Sequence, residues 1–332
     1  MLTLVIIILG ASFLLYTLLG GADFGAGIIE TFAGRKGEKI ISRAIAPVWE
    51  ANHVWLILAV VILFTAFPLV YSSLSLALHI PLMVVLLGII CRGSAFTFRH
   101  YDVHQEGVHK YYTLLFIVSS FVTPLFLGIT LGAMILGRIT FDRSAGFYEI
   151  FISPWLNVFC FSMGIFSICL FAYIAAAFLT GEARTEPEQA RYKKLSARAM
   201  LLTAGSGLLV FVAAETSGSH LLREFLRSPL SIAALLLASV LVPVVLYFLK
   251  KHSIVYLRIA VGTQVTAILA GWFAIQYPVL IHVQNGGHLT FYNTQAPPAT
   301  LTQLLIALIV GLVLVIPAFI YLFRVFKVEK EV

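Results

Sequence analysis

The sequence predicts an all-α fold: a polytopic membrane helix bundle with nine transmembrane helices, the N-terminus outside and the C-terminus in the cytoplasm. Three observations carry this reading. First, 60% of the 332 residues are hydrophobic and only 11% charged, with a mean hydropathy of +0.99. A soluble domain carries about 25% charged residues, so soluble enzyme folds are excluded. Second, apolar runs near 20 residues recur along the whole chain, the length a helix needs to cross a hydrocarbon core about 30 Å thick. Third, Lys and Arg concentrate in alternate connections between those runs, as the positive-inside rule requires.

Taken in order, span one covers about 2–29. It lacks a basic leader and is too long for a cleavable signal, so it reads as a retained helix. Span two, 48–71, opens on a dense polar and aromatic segment. Spans three and four follow at 76–98 and 112–137. Span five, 154–180, carries Cys160 and Cys169, which read as small core residues. With Cys91 they form no C-x-x-C and no metal-ligand pair. Gly181–Lys194 is strongly charged and reads as a solvated cytoplasmic loop before span six, 197–217. Spans seven, eight and nine occupy 229–249, 255–277 and 301–326. The last connection, His282–Pro298, is uncharged and rich in Gly, Asn, Gln and Pro, which suggests an external loop packed against a partner. The runs are continuous rather than alternating, which selects helices over a barrel. No soluble domain fits between them, so residues 1–332 read as one integral membrane domain.

Eighteen cations fall on one side of this arrangement. They are Arg35, Lys36, Lys39 and Arg43; Arg92, Arg99 and Lys110; Arg184, Arg191, Lys193, Lys194 and Arg198; Lys250, Lys251 and Arg258; and Arg324, Lys327 and Lys330. Arg138, Arg143, Arg223 and Arg227 are the four on the other side. Missing or inventing one span would erase this asymmetry, so it supports both the count and the orientation. The net charge of +7 follows from the same rule and does not indicate nucleic-acid binding.

Ionisable side chains inside a membrane are expensive and are functional candidates by default. Asp23 lies in Gly20-Gly21-Ala22-Asp23-Phe24-Gly25-Ala26-Gly27, near the inner end of span one. Glu50 lies near the inner start of span two, and Glu215 near the outer end of span six. Asp23 and Glu50 would sit at similar depth on helices joined by a short connection. Burial favours the proton-carrying form of a carboxylate, so the two could collect cytoplasmic protons. The plainer alternatives are that Asp23 hydrogen-bonds a neighbouring helix and that Glu50 lies in the headgroup region against Arg43. Gly20, Gly21, Gly25 and Gly27 read as helix-packing positions. A phosphate loop is a poor alternative without a preceding strand or a following Lys-Ser. Trp49, Asn52, His53 and Trp55 suit interhelical hydrogen bonds, a membrane-interface anchor, or contacts to a quinone headgroup or water. His100 and His104 have a helical metal-ligand spacing, but they lie with His109 in a charged connection and read as solvated. His220, His252, His282 and His288 are also in connections; only His53 and His79 approach membrane depth. No metal site is expected, and no convincing set of axial haem ligands is present.

Two stretches carry a family resemblance. The run at 20–27, followed about 20 residues later by Ala46-Pro47-Val48-Trp49-Glu50-Ala51-Asn52-His53-Val54-Trp55-Leu56, resembles subunit II of cytochrome bd-type quinol oxidases. The family has an Asp-Gly-Phe-Asp-x-Gly-x-Gly element in helix one and Pro-x-Trp-Asp/Glu-x-Asn-x-Val-Trp-Leu opening helix two. The span count, orientation and length match along the whole chain. The resemblance implies one half of a membrane heterodimer that oxidises quinol and reduces dioxygen to water in a bacterial or archaeal cytoplasmic membrane. It implies two b haems and one d haem, all in partner subunit I, and in some members a structural quinone in subunit II. Other implied contacts are lipid, quinol and small accessory single-helix subunits. Subunit II is expected to stabilise subunit I and to contribute a proton path from the cytoplasm. Asp23 falls on the second acid of the helix-one motif and Glu50 on the acidic position of the helix-two motif, which the family implicates in proton uptake. Trp49, Asn52 and Trp55 match motif positions. The chain departs from the pattern at Gly20, where many members have Asp. Two rival readings are a secondary transporter, which would show inverted repeats and a central polar cavity, and a purely structural assembly subunit.

Overall fold

A computed structural model describes residues 1–328 except 48, 102–105, 143, 252 and 285. The chain runs α1 (Leu2–Leu15), a π-helical turn (Tyr16–Gly20), α2 (Gly21–Ile45), α3 (Trp49–Asn52), α4 (Val54–Ala66), α5 (Pro68–Ala77), α6 (His79–Tyr101) and α7 (Glu106–Leu136). It continues with α8 (Phe147–Phe151), α9 (Val158–Thr180), α10 (Glu186–Thr216), α11 (Leu221–Arg227), α12 (Pro229–Lys251) and α13 (Ile254–Gln276). A two-stranded antiparallel ribbon, β1 (Val279–Ile281) and β2 (Leu289–Thr290), precedes α14 (Pro298–Val328). Among the described residues, nine helices are long and apolar enough to cross a membrane, so the count of nine stands.

Several boundaries differ from the sequence reading, each for a local reason. Span one extends to Gly34, where φ 65° and ψ −176° break α2. Only glycine adopts that conformation readily. The guanidinium of Arg191 in α10 donates to the carbonyl of Phe32, taking up an acceptor freed by the break. Span two stops at Ala66 instead of 71, because Pro68 cannot continue the helix and pushes Phe67 to φ −133°. Pro68 then starts the short α5. Most of the expected loop 181–194 is helix, because Thr185 and Glu188 form a capping box and proline lies in the first turn.

The last connection folds onto its own bundle. His282 and Gln284 donate backbone N–H groups to Met134 and Ile139 at 2.9 and 2.8 Å, and Ala296 donates to Ala66 at 2.8 Å. Ile281, Val283, Leu289 and Phe291 are buried with residues from α1, α4 and α7 in one apolar core.

α9 is the central helix, packed against α2, α7 and α10. Its crossing with α7 uses a signal the sequence reading passed over, Gly128-x-x-x-Gly132. A Cβ at Gly128 would strike the Met163 carbonyl, and one at Gly164 would lie 2.6 Å from the Leu125 carbonyl. Backbones approach closely here because both sides lack side chains. Farther along, Tyr173 donates to Gln264 at 2.6 Å, and Gln264 donates to the Ala238 carbonyl at 2.9 Å. That pair of bonds ties α9, α13 and α12 together.

Candidate functional site

The first span carries the polar interior. Gly25 has no room for a Cβ against the Phe171 carbonyl of α9, and Gly27 none against the Ser120 hydroxyl of α7. A Cβ at Gly21 would lie 2.8 Å from the Phe171 ring, and one at Gly20 would lie 2.8 Å from the ring of Tyr16. Gly21, Gly25 and Gly27 draw α2 against α7 and α9, which brings Asp23 within reach of an arginine from α6.

That arginine is Arg92. Nη1 donates to Asp23 Oδ2 at 2.7 Å, and Nη2 donates to Oδ1 at 2.9 Å and to the Asp23 carbonyl at 2.7 Å. Nε donates to Ser120 at 3.3 Å. Asp23 is 3% exposed and Arg92 1%. The guanidinium also lies over the rings of Phe24 and Phe116, 4.8 and 4.9 Å from their centroids. One bidentate, charge-assisted pair with four hydrogen bonds is how a buried ion pair offsets its desolvation.

Two turns along, Glu30 repeats the arrangement. Arg99 Nη1 donates to Glu30 Oε1 at 2.6 Å, with Glu30 5% and Arg99 7% exposed. At the end of the bundle where spans one and two are joined, His109 lies 2.8 Å from Glu38, both half-buried. Arg92 and Arg99 are therefore not connection cations: both lie within α6 and neutralise acids of the first span. Taking them out of the tally of eighteen leaves sixteen against four, so the asymmetry holds.

The structure does not bring Asp23 and Glu50 together. Glu50 is exposed on α3 and has no ion pair among the described residues, with Arg43 or any other. Its neighbours turn inward. Asn52 donates to the Leu19 carbonyl at 3.3 Å, an acceptor in the π-helical turn. The His53 ring lies 6.2 Å from that of Tyr16 and 6.0 Å from that of Phe24. Trp49 packs on Phe96 and Trp55 on Phe319. Four buried polar atoms here have no hydrogen-bond partner among the described residues: Tyr16 Oη, Asn52 Oδ1, His53 Nδ1 and Trp55 Nε1. Glu215 lies on the surface, 3.4 Å from His220. His79 is exposed at the start of α6, against Phe151. The His100 side chain and His104 lie outside the described residues, as do Arg143 and His252. No group of three metal-ligating side chains comes together among the described residues.

Glu30, Arg92 and Arg99 escaped the sequence reading as a site. The available signal was spacing: the acids at 23 and 30, and the arginines at 92 and 99, are each seven residues apart, which places each pair on one helix face.

A family model described as cytochrome bd terminal oxidase subunit II matches residues 1–326. The chain belongs to that family. A Bacillus subtilis cytochrome bd ubiquinol oxidase subunit 2 is 29% identical over 48% of this chain and 47% of its own length. The Escherichia coli K12 cytochrome bd-I ubiquinol oxidase subunit 2 is 29% identical over 40% of this chain and 35% of its own length. The matched stretch thus spans under half of either relative. In structure, the chain is similar to one chain of the bd oxidase from Geobacillus thermodenitrificans, with a TM-score of 0.79, 23% identity and 99% of both chains covered.

A cytochrome bd family member implies haem, and His53, Met163 and Met200, three described candidates for axial ligation, do not fit it. Haem needs axial His, Met or Cys ligands presented to an open porphyrin face. The half-buried His53 is instead flanked by the Tyr16 and Phe24 rings. Met163 and Met200 are built into two separate apolar cores.

Proposed function

We propose that this chain is the haem-free half of a quinol:oxygen oxidoreductase in a bacterial cytoplasmic membrane. It stabilises a haem-bearing subunit I and takes protons from the cytoplasm. The basic end of the bundle faces the cytoplasm in this reading, supported by the cation asymmetry. The family match over residues 1–326 carries the assignment. In this reading the haems belong to subunit I, supported by the family match.

Glu50 takes protons at the surface. It is exposed at the basic end, one turn from buried, open polar atoms of Asn52 and His53. Asp23, locked to Arg92, acts on that path through its charge. The open Tyr16 hydroxyl and Trp55 indole N–H are the buried donors that suit a quinone's carbonyl oxygens. A bound quinone there would supply a structural plug or a redox-active ring. A purely structural subunit is the second reading, favoured by the exposure of Glu50 and by the fixed Asp23–Arg92 pair.

The oxidase carrying Glu50→Gln, reconstituted in liposomes, separates the two. Slower oxygen reduction and a smaller membrane potential at unchanged haem content support proton uptake at Glu50. Wild-type values for both sink it and leave the structural role.

A further inference from the structure

Tyr16, Asp23 and Glu30 follow one another at seven-residue intervals on the first span, and Glu38 follows after the break at Gly34. Each meets a group from another element. The His53 ring faces Tyr16, Arg92 holds Asp23, Arg99 holds Glu30, and His109 lies on Glu38. The ring of Phe116 separates the two arginines, 4.9 Å from one guanidinium carbon and 4.4 Å from the other. Neighbouring rungs are close enough to act on each other electrostatically: Glu38 and Arg92 on Glu30, and Asp23 and Arg92 on both Tyr16 and His53. A polar seam thus runs from the half-exposed His109–Glu38 pair into the interior of an otherwise apolar bundle.

If the seam were only a set of ion-pair staples, its polar atoms would be used up. They are not. Glu30 Oε2, Arg99 Nη2 and Tyr16 Oη are buried without a hydrogen-bond partner among the described residues. Leaving such a group bare costs about 1–3 kcal/mol, and buried water is the usual partner where several polar atoms converge.

We infer that this seam is a hydrated proton line inside the subunit, taking protons at His109 and Glu38 and passing them through Glu30 toward Asp23 and Tyr16. The inference rests on the proton-uptake reading above and moves the intake from Glu50 to the His109–Glu38 pair. One proton bound at the His109–Glu38 pair transfers to Glu30 Oε2, and Glu30 returns to carboxylate as the proton moves on through water. Only O–H and N–H bonds form and break. Asp23 and Glu30 are about 10 Å apart along the helix axis, a distance bridged by a few hydrogen-bonded waters. Ser120, which accepts from Arg92 and donates to the Phe116 carbonyl, lies beside that gap.

The test uses the assembled oxidase in liposomes, reading turnover, proton uptake and haem content. Glu30→Gln should slow turnover and proton uptake about tenfold or more at unchanged haem content, with Glu30→Asp restoring most of the rate. Arg99 would be left buried and unpaired by Glu30→Gln, so a neutral pair, Glu30→Gln with Arg99→Gln, is carried alongside. Glu38→Gln, at a half-exposed position, should slow uptake about threefold. Wild-type uptake in an assembled Glu30 variant overturns the line. Should neither Glu30 variant assemble, wild-type uptake in Glu38→Gln overturns it and slowed uptake supports it. Glu50→Gln run in parallel keeps the two readings apart. A silent Glu50→Gln with a slow Glu30→Gln supports the seam and removes Glu50, whereas the reverse removes the seam and keeps Glu50.

Discussion

Arg92 is the side chain this bundle should tolerate losing least. It is buried, makes four hydrogen bonds and lies against two aromatic rings. Arg92→Leu would leave the Asp23 carboxylate buried and uncompensated, a loss of about 3–5 kcal/mol. Replacing both members, Asp23→Leu with Arg92→Leu, should recover most of that, because an apolar pair carries no desolvation penalty. Thermal unfolding of the purified protein in detergent reads both effects. A single variant as stable as wild type would contradict the pairing. At this scale the sequence was only half legible. Asp23 was visible as an acid at membrane depth, but its partner lies 69 residues away. Arg92 was instead counted among the connection charges, because a cation near the end of an apolar run looks the same whether it faces water or an acid.

Elements were legible where they follow from run length and opaque where they follow from single residues. The apolar runs marked nine helices, but Pro68, the Thr185–Glu188 box and Gly34 moved their ends. The connection after α13 shows the same limit: its lack of charge was visible, but its docking on α7 through backbone bonds was not. That docking should depend on pH. His282 lies 4.9 Å from His288, ring centre to ring centre. Burial, and secondarily His288, hold the His282 imidazole below its ordinary value of 6.5. The unfolded connection therefore binds the proton more tightly than the docked one. The stabilisation is fully present above about pH 6.5 and is lost as pH falls from there toward the depressed folded value. Hydrogen exchange at the amides of His282 and Gln284, corrected for intrinsic rates, should quicken between pH 7.5 and 5.5 (about the range spanning the transition), and His282→Gln should flatten the change. Exchange independent of pH in the unsubstituted protein would count against this account.

Across the whole molecule, chemistry is concentrated in one part of the bundle. The first span and its partners on α6 hold the two fully buried ion pairs among the described residues, and the open polar atoms of Tyr16, Glu30, Asn52, His53, Trp55 and Arg99 lie on or beside them, while α12 and α14 present Leu, Ile and Val outward to lipid or to a partner subunit. Such a distribution suits a subunit that handles protons for redox centres held elsewhere. The motif at 46–56 made the family legible because its residues are contiguous. The seam was not legible, because its members come from four segments that only folding brings together. The central claim is that this chain is half of a haem-bearing machine and works only with the other half. Its most direct test is the absorption spectrum of the chain affinity-purified from its native membrane under mild detergent. Haem b and haem d bands with a second large subunit in equal amount are expected, and a haem-free chain purifying alone would contradict the account.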